Sequence, residues 1–126
     1  MKFAIYTESE EEHELYSPNE LEWAVDRLNN EEGSFLCVIP EAPINAINYM
    51  QAAYIRKTKG FFKKTVIASY YEVEVQEEKP SGDLIQYFLS TENVETVMQI
   101  FNAFFESQTI PDLKEWRSEL FYKAER

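Results

Sequence analysis

One cysteine and one histidine are the residues of this chain that could act as nucleophile and base. Cys37 lies inside the apolar run Ser34–Ile39, and His13 lies in a charged segment far from it in sequence. A thiol nucleophile needs a general base within hydrogen-bond reach, and a cysteine in an apolar run is typical of an inert buried side chain. Zinc usually requires three or four Cys/His ligands. We therefore expect no catalytic residues, no metal and no cofactor.

Carboxylates are the next candidates for chemistry, in two sets. Glu72 and Glu74 share one face of a predicted strand. For this pair to hydrolyse a glycoside, the two carboxyls would need to lie in a pocket and to have different pKa values. The run from Glu8 to Glu14 has the charge to bind a hard cation, but it lacks the Asp/Asn spacing and the central glycine of a calcium loop. We interpret the first set as a solvated strand face and the second as a flexible acidic loop.

The only basic cluster runs from Arg56 to Lys64, where five cationic residues surround Gly60, Phe61 and Phe62. Interleaved basic and aromatic side chains can contact a phosphate backbone. The chain has no glycine-rich phosphate-binding motif of the Walker or dinucleotide type. The cluster is interpreted as the tip of a hairpin.

Negative charge is concentrated near the start of the chain. The net charge is −11, and residues 1–42 hold eleven acidic side chains and two basic ones. Such a field repels nucleic acid and anionic membranes and attracts cationic partners; acidity that serves only solubility is the alternative. We expect a cationic protein partner, no nucleic acid and no membrane. The predicted partner-binding residues are Trp23 as an aromatic anchor and six carboxylates that steer the encounter: Glu10, Glu11, Glu12, Glu14, Glu22 and Asp26.

The segments that must position these residues are read from periodicity and capping. Met1–Thr7 predicts a strand, and Ser17-Pro18-Asn19-Glu20 predicts a helix start, with Ser17 as cap and Glu20 completing a capping box. Leu21, Ala24, Val25 and Leu28 follow at helical spacing, with Trp23 flanking that stripe.

The rest of the chain predicts strands and a second helix. Ser34–Ile39, Thr65–Gln76 and Leu84–Leu89 have strand patterns, the last two joined by a turn. Ser90 or Thr91 is expected to cap a helix with an aromatic stripe at Phe101, Phe104 and Phe105. Residues 44–55 fit a strand about as well as a helix, with strand preferred. Residues 112–122 fit a short helix or an edge strand.

The fold prediction is therefore α+β: an antiparallel sheet of four to five strands with two main helices packed on it. A length of 126 residues with 44% apolar content indicates a single domain over residues 1–126. Neither a signal peptide nor a membrane-length apolar stretch is recognisable, and one cysteine forms no disulfide within the chain. The expected location is the cytoplasm.

Residues 84–117 carry a resemblance to a known group of proteins. The amphipathic run Val94–Phe105, followed by Pro111-Asp112-Leu113 and Trp116, resembles small immunity proteins of bacterial polymorphic-toxin systems. The resemblance implies a non-enzymatic α+β protein that occludes a toxin, often a basic nuclease. The acidic first third would then face the toxin.

Two other functions remain open from the sequence. One is a small-ligand-binding or hydrolytic domain with a pocket lined by Tyr70, Tyr71, Tyr87 and Glu72. The other is a structural or assembly subunit, which an exposed apolar patch and a stable homo-oligomer would support.

Overall fold

A single antiparallel sheet with helices on one face organises the chain. The computed structural model describes residues 1–30, 33–63 and 65–125. Its elements are β1 (Phe3–Thr7), β2 (His13–Leu15), α1 (Pro18–Asp26), β3 (Phe35–Pro40), β4 (Ile47–Lys59), β5 (Thr65–Glu78), β6 (Leu84–Thr91), α2 (Val94–Ser107) and β7 (Arg117–Tyr122). Across the sheet the order is β2-β1-β3-β4-β5-β6-β7, and every neighbouring pair is antiparallel. The predicted α+β class, antiparallel sheet and two helices are confirmed.

The sheet has more strands than the four to five predicted, with seven in the described part of the chain. β2 overlaps the end of the run predicted as a flexible acidic loop, and its Leu15 pairs with Phe3 and is 4% exposed. Burial of Leu15 against the core holds this short strand at the edge. β7 forms the opposite edge, so Arg117–Tyr122, within the segment 112–122 that was left open, is an edge strand and not a helix. For the segment 44–55 the preferred strand is present from Ile47 onward, and it continues to Lys59 into the residues predicted as the hairpin tip.

Both helices begin at side-chain caps. Ser17 caps α1, as predicted, because its hydroxyl accepts a hydrogen bond from the Glu20 amide at 3.3 Å. The Glu20 carboxylate does not complete a capping box, since it contacts His13 instead. The predicted caps of α2, Ser90 and Thr91, are wrong. Both residues end β6, and Asn93 is the cap, accepting from the Glu95 amide at 2.9 Å.

The core lies between the sheet and the two helices. Alternate residues of each strand point toward the helices, which follows from the two-residue period of a strand. Val73 and Val75 of β5 are fully buried there, as are Phe101 and Phe104 of α2. Phe104 packs edge-on against Phe3 with ring centroids 5.6 Å apart. The opposite face of the sheet carries no helix in the described residues.

The β4–β5 hairpin extends well beyond its neighbours. β3 pairs with β4 only as far as Ala53, and β6 pairs with β5 only as far as Tyr71. The described residues 56–63 and 65–69, called the arm below, therefore project as a two-stranded ribbon. From Ala53 to Lys59 the ribbon extends about 20 Å at the usual rise per strand residue. Among the described residues, no helix is both long enough and apolar enough to span a lipid bilayer.

Candidate binding surface

The acidic loop between β1 and β2 is held in one shape by its own hydrogen bonds. The Thr7 hydroxyl accepts from the amides of Ser9 and Glu10 at 3.3 and 3.1 Å, and the Thr7 amide donates to the Glu10 carbonyl at 3.1 Å. The Glu8 carboxylate accepts from the Phe35 amide at 3.0 Å, which ties the loop to β3. These bonds leave the carboxylates of residues 10, 11 and 12 exposed.

Trp23 stands beside this loop on the outer side of α1. It is 53% exposed, and the Arg27 guanidinium lies 4.5 Å from the centre of its ring. A shallow hollow runs between the ring and the loop residues Thr7, Glu8 and Ser9. Two further exposed carboxylates, Glu22 and Asp26, flank the tryptophan on the same helix. The acidic surface is defined here as Trp23 with Glu8, Glu10, Glu11, Glu12, Glu22 and Asp26.

One predicted member of this surface lies elsewhere. Glu14 pairs with Ala4 in the sheet, whereas His13 and Leu15 on either side of it pair with Ile5 and Phe3 of the core face. The alternation of a strand therefore turns Glu14 to the open face of the sheet. There it lines a groove with Lys2, Glu12 and Glu41, and Trp23 does not line that groove. Glu12 also lines the loop surface with Glu8 and Glu10. Glu14 therefore does not lie beside Trp23, and its predicted role in partner binding stays a prediction.

Residues that the sequence interpretation omitted also contribute to the surface. Glu8 and Arg27 were not in the predicted set, yet both line the hollow beside Trp23. Arg27 follows Trp23 by four positions, a spacing that brings side chains together on a helix. That spacing was a usable signal. The bond from Phe35 to Glu8 joins residues that are 27 positions apart, so sequence spacing alone could not reveal it.

Cys37 and His13 lie on opposite faces of the sheet. Cys37 pairs with Tyr6 on the open face, while His13 points to the helix side and contacts Glu20. Burial raises the pKa of the Cys37 thiol to about 11, an increase that the hydrogen bond from Tyr6 only partly offsets. The thiol is therefore protonated at neutral pH and is not the activated nucleophile that a dyad requires. No group of three or more metal-ligating side chains occurs among residues 1–30, 33–63 and 65–125.

The open face carries a polar network that the sequence interpretation missed. The Gln86 amide donates to the Tyr49 hydroxyl at 2.9 Å, and that hydroxyl donates to the Glu74 carboxylate at 3.4 Å. Burial, together with the charge of Glu72, raises the pKa of the Glu74 carboxyl. Gln76 accepts from Asn48 at 2.8 Å beside this chain of bonds. The network contains one perturbed carboxyl, not the pair of carboxyls with divergent pKa values that hydrolysis of a glycoside requires.

The residues predicted to line a small-ligand pocket do not share one face. Tyr71 is buried under the helices at 4% exposure, and Tyr87 on the same side donates to Glu77 at 2.9 Å. Tyr70 and Glu72 alternate with them and point to the open face. The four side chains therefore form no common pocket.

Comparison with models of known protein families, with curated proteins and with solved structures gave no match to this chain. The assignment of function accordingly rests on the geometry and charge of the chain itself.

Proposed function

We propose that this chain is a non-enzymatic binding protein that occludes a cationic protein, in the manner of an immunity protein that neutralises a basic toxin. The observation that carries the proposal is the half-exposed Trp23 placed among six carboxylates on a loop and helix fixed by hydrogen bonds. Buried aromatic anchors supply much of the affinity of protein interfaces. Surrounding charges raise the rate of encounter with an oppositely charged partner.

The fixed shape of the acidic loop favours recognition of a folded partner. A loop that is already ordered loses little conformational freedom on binding, so more of the contact energy contributes to affinity. The protonated thiol of Cys37 and the engaged imidazole of His13 fit a protein that binds without catalysing a reaction. A single buried cysteine also suits the reducing cytoplasm, where we place this function.

The partner can be identified by affinity capture from the native cytoplasm at low and then high salt, with mass spectrometry of the retained proteins. We expect one basic protein, retained in stoichiometric amount and released by salt, because exposed charges are screened within about 10 Å at 0.1 M salt. Absence of any stoichiometric protein partner would contradict the proposal.

Charge reversal tests the surface itself once the partner is known. In a variant with Glu22→Lys and Asp26→Lys, the association rate should fall about 10-fold and lose most of its salt dependence. The matched control reverses two exposed carboxylates elsewhere, Glu106→Lys and Glu115→Lys, and should bind at nearly the original rate. Truncation by Trp23→Ala should weaken affinity by roughly 2 kcal/mol or more. Unchanged association of the first variant would exclude this surface.

A further inference from the structure

The arm is the part of the molecule that the proposed function leaves unused. Phe61 and Phe62 at its tip are 92% and 98% exposed, and their rings contact each other with centroids 5.3 Å apart. Val66 and Ile67 on the returning strand are also more than half exposed. Adjacent apolar side chains held this far from the core indicate a contact surface for another molecule.

The apolar tip is surrounded by positive charge. Arg56, Lys57, Lys59 and Lys63 are all exposed, and Lys64 adds another cation in the sequence. Arg56 donates to the Asn29 carbonyl at 3.1 Å, and Lys57 lies over the Tyr70 ring. Lys59 and Lys63 form no ion pair with any residue that the structure describes. The occupant of this surface must therefore combine negative charge with an apolar contact.

The acidic surface and the arm lie at the same end of the sheet. Thr7, the last residue before the acidic loop, is level with Leu36 of β3, which is level with Ala52 of β4. The arm begins a few residues after Ala52. The loop is thus two strands to the side of the arm, about 10 Å, and roughly 20 Å behind its tip.

This placement decides which partner fits. A purely anionic partner that extends along the arm, such as a lipid surface or a nucleic acid, would meet like charge where it reaches the acidic surface. A cationic partner, such as the one proposed for the acidic surface, finds no opposite charge on the arm itself. A second copy of the chain presents both charges at one end, so each arm can meet the other copy's carboxylates.

We propose that the chain forms a symmetric dimer in which the arm of each copy lies against the acidic surface of the other. In this dimer the two arms run antiparallel on either side of a two-fold axis and overlap by about 20 Å. The tip of each arm is then level with the acidic loop of the other copy. Phe61 and Phe62 then reach the hollow beside the Trp23 ring, and the lysines face the carboxylates of the loop. The dimer covers the surface assigned to the cationic partner, so the two associations compete. Dimerisation is nevertheless measured on the purified chain alone, in the absence of the cationic partner.

Sedimentation velocity over a concentration series tests the dimer. At low salt we expect a species of about twice the 14.9 kDa chain mass, which dissociates as salt rises. An arm-reversed variant (Lys59→Glu with Lys63→Glu) and a loop-reversed variant (Glu11→Lys with Glu12→Lys) should each be mostly monomeric where the wild type dimerises, because each double reversal removes most of the charge attraction between arm and acidic surface. An equimolar mixture of the two should form a heterodimer, since both of its contacts again join opposite charges.

Removal of the two phenylalanines at the tip is the second test of the dimer. Phe61→Ser with Phe62→Ser should weaken dimerisation at least about 10-fold. The matched control, Leu120→Ser with Phe121→Ser on edge strand β7, removes two other exposed apolar side chains and should leave dimerisation unchanged. Circular dichroism confirms that each variant is folded.

Three results would overturn the dimer. The wild-type chain could remain monomeric throughout the series. The dimer could depend on Leu120 and Phe121 but not on the arm, which would indicate pairing of β7 edges. A monomer could bind phosphatidylserine vesicles through Phe61 and Phe62, which would assign the arm to a lipid surface.

Discussion

The imidazole of His13 on edge strand β2 contacts the carboxylate of Glu20 in the first turn of α1. The other ring nitrogen lies 2.9 Å from the Glu11 carbonyl. Both contacts favour the protonated ring, and they raise the pKa of His13, with the Glu11 carbonyl as the larger cause and the Glu20 carboxylate next. The pair joins the acidic loop to the helix that carries Trp23, so it helps to fix the shape of the acidic surface.

The protonation of His13 should be visible directly, because it is the only histidine in the chain. In an NMR titration the ring should titrate above the usual value of about 6.5. Glu20→Gln should lower the pKa of His13, and a partial increase should remain because the Glu11 carbonyl still accepts. A titration that is unchanged by Glu20→Gln would show that the contact does not form in solution.

The same pair makes stability depend on pH. A group whose pKa is raised by folding stabilises the native state fully below its unfolded pKa, and this contribution disappears as pH rises through the folded value. Wild type should therefore exceed a His13→Asn variant in free energy of unfolding below pH about 6, by roughly 0.2 to 1 kcal/mol for an exposed pair. The difference should shrink above the folded pKa. Urea denaturation at several pH values measures it.

Cys37 should be almost unreactive in the folded chain. With its pKa raised to about 11 by burial, the thiolate fraction at pH 8 is small. Labelling by an aromatic disulfide reagent should be roughly 100-fold slower than in the urea-unfolded chain. Tyr6→Phe removes the hydrogen bond that favours the thiolate, so it should slow labelling further. Rapid labelling of the folded chain would contradict the buried position of Cys37.

Local patterns in the sequence were sufficient to predict much of the fold. Ser17 and Pro18 mark the start of α1 because a helix cap involves neighbouring residues only. The alternation around Val73 and Val75 identifies β5 because one side of the sheet is buried. β2 was missed because its three residues form a strand only through pairing with β1 and contact with α1. The α2 cap was misplaced because β6 continues to Thr91.

The candidate surface was predictable only in part, for similar reasons. Trp23 flanks the apolar stripe of α1, and helical spacing places it at the boundary where the structure has it. Glu14 belongs to the same acidic run as Glu10 and Glu11, but the pleat of β2 turns it to the open face of the sheet. The projection of the arm depends on where β3 and β6 stop pairing, and no residue within the arm determines that.

Gln108 ends α2 in a left-handed conformation, with φ of 47°, and the amide of the next residue, Thr109, donates to the Ala103 carbonyl at 3.1 Å. Residues with a side chain pay about 1 to 2 kcal/mol for this conformation, whereas glycine adopts it freely. Gln108→Gly should raise the free energy of unfolding by roughly 0.5 to 1 kcal/mol, because the relief of strain exceeds the added freedom of the unfolded chain. Chemical denaturation measures the change.

The control, Ser107→Gly at the neighbouring helical position, should instead lower stability by a similar amount. Destabilisation by Gln108→Gly would mean that the weak 3.4 Å bond from its side chain to the Phe105 carbonyl outweighs the strain of the backbone.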